Sequence, residues 1–496
     1  MNQDSITIKR GANSKLRFAS LCCFRLLIAV GAIVPFFSAV AQETSFGFFF
    51  DHFKLTLEDG YRTEAAGPFY YSQHTDSENT WAMPPFFSCE HNPSVESHED
   101  DFLYPLLSHI RYGQEQRWQL FQLISTAAGQ QPDETEVKRF TLYPFYFQQR
   151  ALDTNLNYTA VVPFYGHLKN RLYHDEIYFV LFPFFSETRK RDVVTDNYLY
   201  PVVSISHGQG LDGWQVWPFA GREHKDVTTQ TNGFGDTTRI AGHDQSFYLW
   251  PFYLKQDNGI GTDHPEKFRA SLPFFASTRS PQRDSTSIIW PFFAALDDRA
   301  KKYHEWQGPW PFVIFTRGEG KHTSRVFPLF SESRNHSSEA DSYLWPLYSF
   351  KRIQSAPLDQ QRTRVLIYLY SHLTERNIET GKEKQRLDMW PFFTWHRDFN
   401  GNERLQILAP IEPAVPDNRG IERNWSPLWS LWRAENNRKT GAGSQSLLWN
   451  LYRRETAPGH KKVSLLFGLF QYQSGKETER TKLFYFTVSQ TPPPKK

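Results

Sequence analysis

The chain has 496 residues, of which 16% are aromatic, yet its mean hydropathy of -0.58 is clearly polar. Its 56 basic and 53 acidic residues are well mixed and leave a net charge of +3, so bulk charge gives no reason to expect a polyanion such as nucleic acid as a partner. No apolar stretch after residue 41 is long enough for a membrane-spanning helix, so a membrane-embedded form would have to be a β-barrel.

The N-terminus has the order of a secretory signal peptide. Basic residues precede an apolar run from Leu26 to Val40 that closes on the small residue Ala41. We predict that residues 1–41 are removed; a membrane anchor is the alternative, but a spanning helix needs about 20 residues. The mature chain then keeps one cysteine, Cys89, and cannot form an intrachain disulfide.

A short aromatic motif with a central proline recurs along the mature chain. Examples are "SIIWPFFAALDD" from Ser287 and "SFYLWPFYLK" from Ser246. Most intervals are 17 to 22 residues between successive prolines of this kind, which are Pro68, Pro85, Pro105, Pro144, Pro163, Pro183, Pro201, Pro218, Pro251, Pro273, Pro291, Pro311, Pro328, Pro346, Pro391, Pro410 and Pro427. Units without proline fill the two widest gaps, near Ile124 and Leu369, and extend the repeat to both ends.

Each unit reads as one strand of about ten residues followed by a polar connector. The connectors contain no second apolar run and no helical period, so the units predict an all-β, antiparallel meander of about 22 to 24 strands without helices. The segments centred near Ile124 and Leu369 are predicted to be strands paired with the units on either side. Residues 42–490 would form a single domain, and 491–496 a disordered tail rich in proline and lysine.

Proline inside a strand is a difficulty for this interpretation, because its missing N–H leaves a neighbouring carbonyl without a partner. A bulge at each proline, water from a polar lumen or splayed strands would relieve the loss. Both faces of each unit read as apolar, with Trp290 and Phe292 on one face and Ile289 and Phe293 on the other. Sheets stacked face to face, as in a propeller, are therefore an alternative to a barrel.

An arginine follows the proline by six residues in nine units. These residues are Arg111, Arg150, Arg189, Arg279, Arg317, Arg334, Arg352, Arg397 and Arg433. In a barrel they would lie at the end of the apolar band, near lipid headgroups or the pore mouth. The simpler interpretation is a solvated strand end whose charge blocks unwanted edge pairing.

Signatures of catalysis are weak. "GEGKHTS" lacks the Ser or Thr that a phosphate loop places after its lysine, and no G-x-S-x-G, H-E-x-x-H or paired C-x-x-C motif occurs. The best group of potential ligands lies in "CEHNPSVESHEDD", which contains Cys89, His91, His98, Glu99, Asp100 and Asp101. An exposed acidic turn is the default interpretation of this stretch, so we predict no metal, no cofactor and no enzymatic activity.

One connector, Gly221 to Gln245, is much longer than the others. Its mixed charge suits a polar constriction over the mouth of a barrel. The residues concerned are Arg222, His224, Lys225, Asp226, Asp236, Arg239 and Asp244. A plain surface loop is the alternative.

The signal, the strand-sized repeat and the Trp and Tyr residues that bracket each unit resemble bacterial outer-membrane β-barrel proteins, and more loosely uncharacterised proteins with aromatic-Pro-Phe (WPFF) repeats. The resemblance implies a closed transmembrane barrel in the outer membrane, with lipid and the barrel-insertion machinery as partners. It would act as a pore, a transporter or a surface scaffold. The alternative is a soluble, propeller-like exported protein, periplasmic or extracellular, that binds glycans or proteins.

Overall fold

The computed structural model describes residues 45–121, 123–130, 136–231, 237–475 and 478–491. The predicted signal peptide and, except for Thr491, the predicted tail lie outside these residues. Strands make up 62% of the structure and helices 4%, so the prediction of an all-β protein is confirmed. In the described ranges, no helix has both the length and the apolar character needed to cross a membrane.

The described residues contain 45 strands. The first fifteen are β1 (Asp51–Lys54), β2 (Gly60–Ala65), β3 (Tyr70–Thr75), β4 (Asn79–Met83), β5 (Phe87–Asn92), β6 (Ser97–Phe102), β7 (Leu107–Tyr112), β8 (Glu115–Leu120), β9 (Ile124–Gln130), β10 (Glu136–Leu142), β11 (Tyr146–Ala151), β12 (Tyr158–Val161), β13 (Tyr165–Arg171), β14 (His174–Val180) and β15 (Phe185–Lys190). The next fifteen are β16 (Val193–Tyr198), β17 (Val203–Gly208), β18 (Leu211–Val216), β19 (Ala220–Lys225), β20 (Thr228–Thr231), β21 (Thr237–Ile240), β22 (Gly242–Tyr248), β23 (Tyr253–Ile260), β24 (Glu266–Ser271), β25 (Phe275–Arg279), β26 (Arg283–Ile288), β27 (Phe293–Asp298), β28 (Tyr303–Gln307), β29 (Val313–Gly318) and β30 (Lys321–Val326).

The last fifteen are β31 (Phe330–Asn335), β32 (Ser338–Tyr343), β33 (Tyr348–Ser355), β34 (Leu358–Val365), β35 (Tyr370–Asn377), β36 (Glu383–Met389), β37 (Phe393–Arg397), β38 (Glu403–Ile407), β39 (Trp432–Asn437), β40 (Ala442–Leu447), β41 (Tyr452–Ala457), β42 (His460–Leu465), β43 (Phe470–Ser474), β44 (Glu479–Leu483) and β45 (Phe486–Thr491). Two short helices, α1 (Arg419–Asn424) and α2 (Ser426–Trp429), stand between β38 and β39. Short 3-10 turns cover Gly67–Phe69, Pro93–Val95 and Thr154–Leu156.

Forty-three of the strands form one antiparallel sheet in which each strand pairs with the next along the chain. The exceptions are β20 and β21, which make a separate hairpin, so that β19 pairs directly with β22. The predicted antiparallel meander is therefore confirmed. Among the described residues, β1 pairs only with β2 and β45 only with β44, so no hydrogen-bonded ladder closes the sheet into a barrel.

The predicted count of 22 to 24 strands was wrong, because each repeat is a hairpin of two short strands. In "SIIWPFFAALDD", β26 ends at Ile288, residues 289–292 form the turn, and β27 begins at Phe293, which pairs with Ile288. The units without proline behave in the same way. Ile124 opens β9 just after a turn, whereas Leu369 lies inside the turn between β34 and β35 and not at the centre of a strand.

The repeated prolines are in turns, and this removes the difficulty of proline within a strand. Fourteen of the seventeen follow a cis peptide bond in the turn between two strands. Pro68 lies in a 3-10 turn, Pro410 in a bend and Pro427 in α2. Since none of these residues stands in a strand, the missing N–H costs no ladder hydrogen bond. Bulges, lumen water and splayed strands are not needed to explain them.

Successive proline turns lie side by side along one edge of the sheet. Leu249 N donates to Phe219 O and Trp250 N to Pro218 O, each at 2.6 Å, and the same pattern recurs between other neighbouring turns. We call this edge the aromatic rim, defined as the turns at the repeated aromatic motif, from residues 66–69 to residues 484–485. The opposite edge, formed by the turns that join the other ends of the strands, is the polar rim.

The helices were not predicted and replace two expected strand units. After β38 the chain leaves the meander at Leu408 and returns at Trp432, so the units at Pro410 and Pro427 are not hairpins. The side chain of Asn418 accepts from Ile421 N and caps α1. Pro427 falls in the first turn of α2, where a missing N–H costs nothing.

The two faces of the sheet differ in side-chain size. On one face, next to the aromatic rim, cross-strand partners are small and buried, as in the row Ala270, Ala276 and Ser287. On the other, partners in the same zone are large, as in Phe330, Tyr343, Tyr348 and Val365. We call these the inner and outer faces. The predicted two apolar faces per strand were wrong, because Ile289, Trp290 and Phe292 belong to a turn.

The inner face of β1 packs against the inner faces of β40 and β41, near the other end of the sheet. The guanidinium of Arg453 lies 3.3 Å from the ring centre of Phe53, and Thr56 Oγ1 donates to Ser444 Oγ at 2.7 Å. Near the first strand, Gln471 Nε2 donates to Ser45 O at 3.2 Å. The sheet therefore turns back on itself, so that inner-face residues near its two ends are in contact, while β45 stays exposed.

The rim turns place a non-glycine residue in the left-handed conformation, which predicts an asymmetry between two adjacent isoleucines. Ile289 has φ 48°, whereas Ile288 is the last residue of β26, and both are about half exposed. A β-branched residue is disfavoured at positive φ, while glycine in a strand costs about 1 kcal/mol. Ile288→Gly should lower the urea midpoint and Ile289→Gly should not. The reverse order would contradict the assigned turn.

Candidate functional site

The aromatic rim carries exposed rings in most of its turns. The residue after the rim proline is an exposed phenylalanine in most turns, as in Phe86, Phe145, Phe164, Phe184, Phe219, Phe252, Phe274, Phe292, Phe312 and Phe392. The residue before it is often an exposed tryptophan, as in Trp250, Trp290, Trp310, Trp345 and Trp390. Phe274 is 75% exposed. A monomeric soluble protein rarely exposes a contiguous apolar surface of this extent, so the rim is the candidate binding surface.

The outer face changes character within a few residues of the rim. The row nearest the rim is apolar, but the next outer-face row already contains Glu187, Asp196, Glu332 and Asp341. The apolar band on the outside of the sheet is therefore continuous only across the rim turns and one row of strand residues; in the next row, exposed aromatic residues such as Trp214 and Trp306 are mixed with charged ones.

Eight of the nine strand-end arginines lie on the outer face close to the polar rim; Arg433, which follows the helical segment, lies on the inner face. Three of them make the same contacts. In Arg150, Arg279 and Arg317, Nη1 donates to two backbone carbonyls and Nη2 donates to a Thr or Ser hydroxyl of the next strand. These side chains brace neighbouring strands at their polar ends.

The stretch "CEHNPSVESHEDD" is not the exposed acidic turn of the default interpretation. Its residues form most of β5 and β6, and strand alternation divides them between the two faces. Cys89, His91, His98 and Asp100 lie on the outer face. Glu90, Glu99 and Asp101 lie on the inner face, where Asp101 is fully buried.

On the outer face, the divided stretch forms a compact group with a neighbour from β7. His98 Nε2 lies 3.0 Å from Asp100 Oδ2 and 4.0 Å from Cys89 Sγ, and His109 Nδ1 lies 3.1 Å from the same Asp100 oxygen. The His109 ring stacks on Trp118 with centroids 4.2 Å apart. His109 was absent from the predicted group, because it comes from the next strand and is recognisable only from the pairing of Asp100 with His109.

The pKa values of this group reflect its close packing. Burial, reinforced by the adjacent Asp100 carboxylate, raises the pKa of the Cys89 thiol to about 12. Burial acts to raise the pKa of Asp100 as well, but the hydrogen bond from His109 and the charge of His98 hold it below its usual value.

On the inner face, Arg423 of α1 gathers the remaining carboxylates. Its Nη1 lies 2.5 Å from Glu90 Oε2, and its Nη2 lies 2.6 Å from Glu99 Oε1 and 2.8 Å from Asp101 Oδ2. The side chain of Arg423 is 7% exposed. Burial lowers the pKa of Arg423, but the three carboxylates more than reverse this effect and raise it. Asn424 Nδ2 also donates to Asp101, at 3.2 Å.

A second ionic cluster joins β2 to β39 and to the turn that follows β40. The Glu64 carboxylate accepts from Arg62 Nε at 2.8 Å, from Arg433 Nη2 at 3.0 Å and from Asn450 Nδ2 at 2.8 Å. Burial opposes ionisation, but the surrounding guanidinium groups lower the pKa of Glu64 to about 2. The inner-face side chains here line a charged cavity of 320 Å³, which also borders on Arg423.

The predicted constriction residues do not share one loop. Arg222, His224 and Asp244 lie on the outer face of β19 and β22, and Lys225 lies on the inner face. Asp226 follows β19, Arg239 belongs to β21, and Asp236 lies outside the described residues. Because β19 runs from the aromatic rim towards the polar rim, the extra hairpin of β20 and β21 lies at the polar rim.

Comparison with known proteins gives no relative on which to base a function: no family model matches the chain, and no curated protein matches it.

Proposed function

We propose that the protein is an exported, non-enzymatic scaffold that rests on a lipid surface through its aromatic rim. The exposed rings of the rim are the observation that carries the proposal. Tryptophan and tyrosine concentrate at membrane–water interfaces, where one side of the ring is apolar and the other is hydrated. Transferring one exposed phenylalanine ring out of water contributes on the order of 1–2 kcal/mol, so several rim turns together suffice for stable adsorption.

The dimensions of the sheet favour a protein that lies on the membrane and does not span it. The strands have 4 to 8 residues, whereas a strand that crosses a bilayer needs about 9–11. The carboxylates of Glu187 and Asp196 would enter the hydrocarbon region if the sheet were inserted much beyond the rim. The polar rim, with its arginines, would face the aqueous side.

Location at the outer membrane is part of the proposal and rests on the signal-like N-terminus and on the resemblance to outer-membrane proteins. A closed barrel that acts as a pore or transporter is the second candidate. It is favoured by the contacts between the two ends of the sheet, such as those of Phe48 with Phe467, whose ring centres are 5.5 Å apart, and of Ser45 with Gln471. Stepwise conductance in planar bilayers and heat-modifiable migration would support it.

Removal of rim rings should abolish adsorption to lipid. The variant Phe184→Ser/Phe252→Ser/Phe274→Ser takes one exposed ring from each of three turns, and we expect its partitioning onto phospholipid vesicles to fall about 100-fold or more. The matched control is Leu172→Ser/Tyr173→Ser, which removes two highly exposed apolar side chains from a turn at the polar rim and should bind as the wild type does.

Vesicle flotation measures the binding of each variant to lipid. Sedimentation velocity without lipid shows whether the rim instead associates with a second copy of the chain. Equal loss of binding in the rim variant and the control would contradict the proposal. A rim that associates with a second copy of the chain, and leaves vesicles unbound, would also contradict it.

A further inference from the structure

The outer-face group at Cys89 contains three different kinds of metal ligand on two adjacent strands. A thiol sulfur, an imidazole nitrogen and a carboxylate oxygen all lie within 4.8 Å of one another, and all three side chains are partly buried. Acidic clusters without metal are common on protein surfaces, but a sulfur, a nitrogen and an oxygen donor that converge from paired β-strands form a more specific arrangement.

The spacing of the donor atoms suits a small tetrahedral ion. With metal bonds of about 2.0–2.3 Å, tetrahedral geometry separates its ligand atoms by about 3.5 Å. The distances of 3.0 Å from His98 Nε2 to Asp100 Oδ2 and 4.0 Å from His98 Nε2 to Cys89 Sγ lie on either side of this value. The third pair, Cys89 Sγ and the Asp100 carboxylate, lies within 4.8 Å. Side-chain rotations that move the donor atoms by about an ångström or less would therefore bring all three onto one ion.

The surroundings support the carboxylate ligand. His109 Nδ1 lies at hydrogen-bond distance from Asp100 and its ring is held flat against Trp118, which fixes the orientation of the carboxylate. Carboxylates that bind metals are usually hydrogen-bonded in this way by a second residue. His109 is thus a positioning residue and does not need to touch the ion.

We propose that Cys89, His98 and Asp100 bind one divalent ion of borderline softness, for which Zn²⁺ is the representative. Thiolate and imidazole ligands select such an ion over Mg²⁺ or Ca²⁺, which prefer oxygen alone. Three protein ligands leave a fourth position for water or for a group from outside the chain. The site lies on the outer face and does not depend on the rim's binding to lipid.

Cobalt provides the direct test, because a thiolate bound to Co²⁺ gives a charge-transfer band that oxygen and nitrogen ligands do not. The background is Cys22→Ser/Cys23→Ser, which leaves Cys89 as the single thiol of the chain. We expect one equivalent of Co²⁺ to produce the band. Zn²⁺ should displace the Co²⁺ and remove the band, and Cys89→Ser should show no band. Absence of the band, or its persistence in Cys89→Ser, would overturn the proposal.

Zinc affinity, measured by competition with a chelating indicator, separates the roles of the other residues. His98→Gln should lower the affinity more than 100-fold, and His109→Phe should lower it by about 10- to 100-fold. His174→Gln, at the polar rim on β14, should leave it unchanged. Should Cys89→Ser fail to fold, protection of Cys89 from alkylation by Zn²⁺ in the intact protein replaces it. Alkylation at the same rate with and without Zn²⁺ would contradict the site.

Discussion

Replacement of Arg423 by methionine is expected to destabilise the protein by about 3–5 kcal/mol. The guanidinium is almost fully buried and is the shared partner of Glu90, Glu99 and Asp101, of which Asp101 is itself fully buried. Methionine keeps much of the side-chain volume but leaves Glu99 and Asp101 without their counter-ion and Glu90 with only the exposed Arg419. An uncompensated buried charge is far more costly than a lost surface pair.

Arg419 provides the matched control for this substitution. It lies one helical turn before Arg423 and also contacts Glu90, at 3.0 Å, but its side chain is 68% exposed. Arg419→Met should therefore cost less than about 1 kcal/mol. Urea unfolding followed by tryptophan fluorescence measures both variants. Similar losses for the two would show that Arg423 does not join the helix to the first strands in the way described.

Acidification from pH 7 to pH 4 is expected to remove about 3 kcal/mol of stability through His396 alone. Burial, helped by the nearby Arg386 and Arg404, lowers the pKa of this histidine from 6.5 to about 3. The unfolded chain therefore takes up a proton near pH 6.5, whereas the folded protein stays neutral at this position until about pH 3. The contribution of His396 to the free energy of unfolding is fully present above about pH 6.5. It is lost progressively as the pH falls from there towards 3.

Charged side chains from both neighbouring strands act on His396. Arg386 and Lys384 come from β36 and Arg404 from β38, while the Asp417 carboxylate acts in the opposite direction. In His396→Gln, the dependence of unfolding free energy on pH should be flatter than in the wild type by about 3 kcal/mol between pH 7 and pH 4. His174→Gln, at the first residue of β14 on the polar rim, is the control. Parallel pH profiles for wild type and His396→Gln would exclude this contribution.

The sequence was sufficient to predict the class of fold but not the unit of repetition. A run such as "IIWPFF" is equally apolar whether it forms a strand or a turn, so hydrophobic pattern alone assigned it to a strand. The missing N–H of Pro291 indicates a turn and not a strand. Placing each repeated proline in a turn splits every unit into two strands, which doubles the predicted count to about the observed value. The segments interpreted as polar connectors are long enough to contain the ends of two strands, as β5 and β6 show.

The contents of the two faces could be predicted only in part. Once β5 and β6 are recognised as strands, alternation separates Cys89 and Asp100 from Glu90 and Asp101 without further information. The partner of the inner carboxylates could not be found in this way. Arg423 is separated from Asp101 by more than three hundred positions and lies on a helix that interrupts the repeat, so only the folded chain brings them together.

The depth of the two rims relative to lipid tests the proposed function most directly. In a Cys22→Ser/Cys23→Ser/Cys89→Ser background, an environment-sensitive fluorophore is attached to Phe274→Cys at the aromatic rim or to Tyr173→Cys at the polar rim. With phospholipid vesicles, we expect a blue shift and quenching by brominated acyl chains at position 274, and neither at position 173. Vesicle-bound protein whose label at position 274 remains in water, or whose label at position 173 is quenched instead, would contradict the orientation and the role assigned to the aromatic rim.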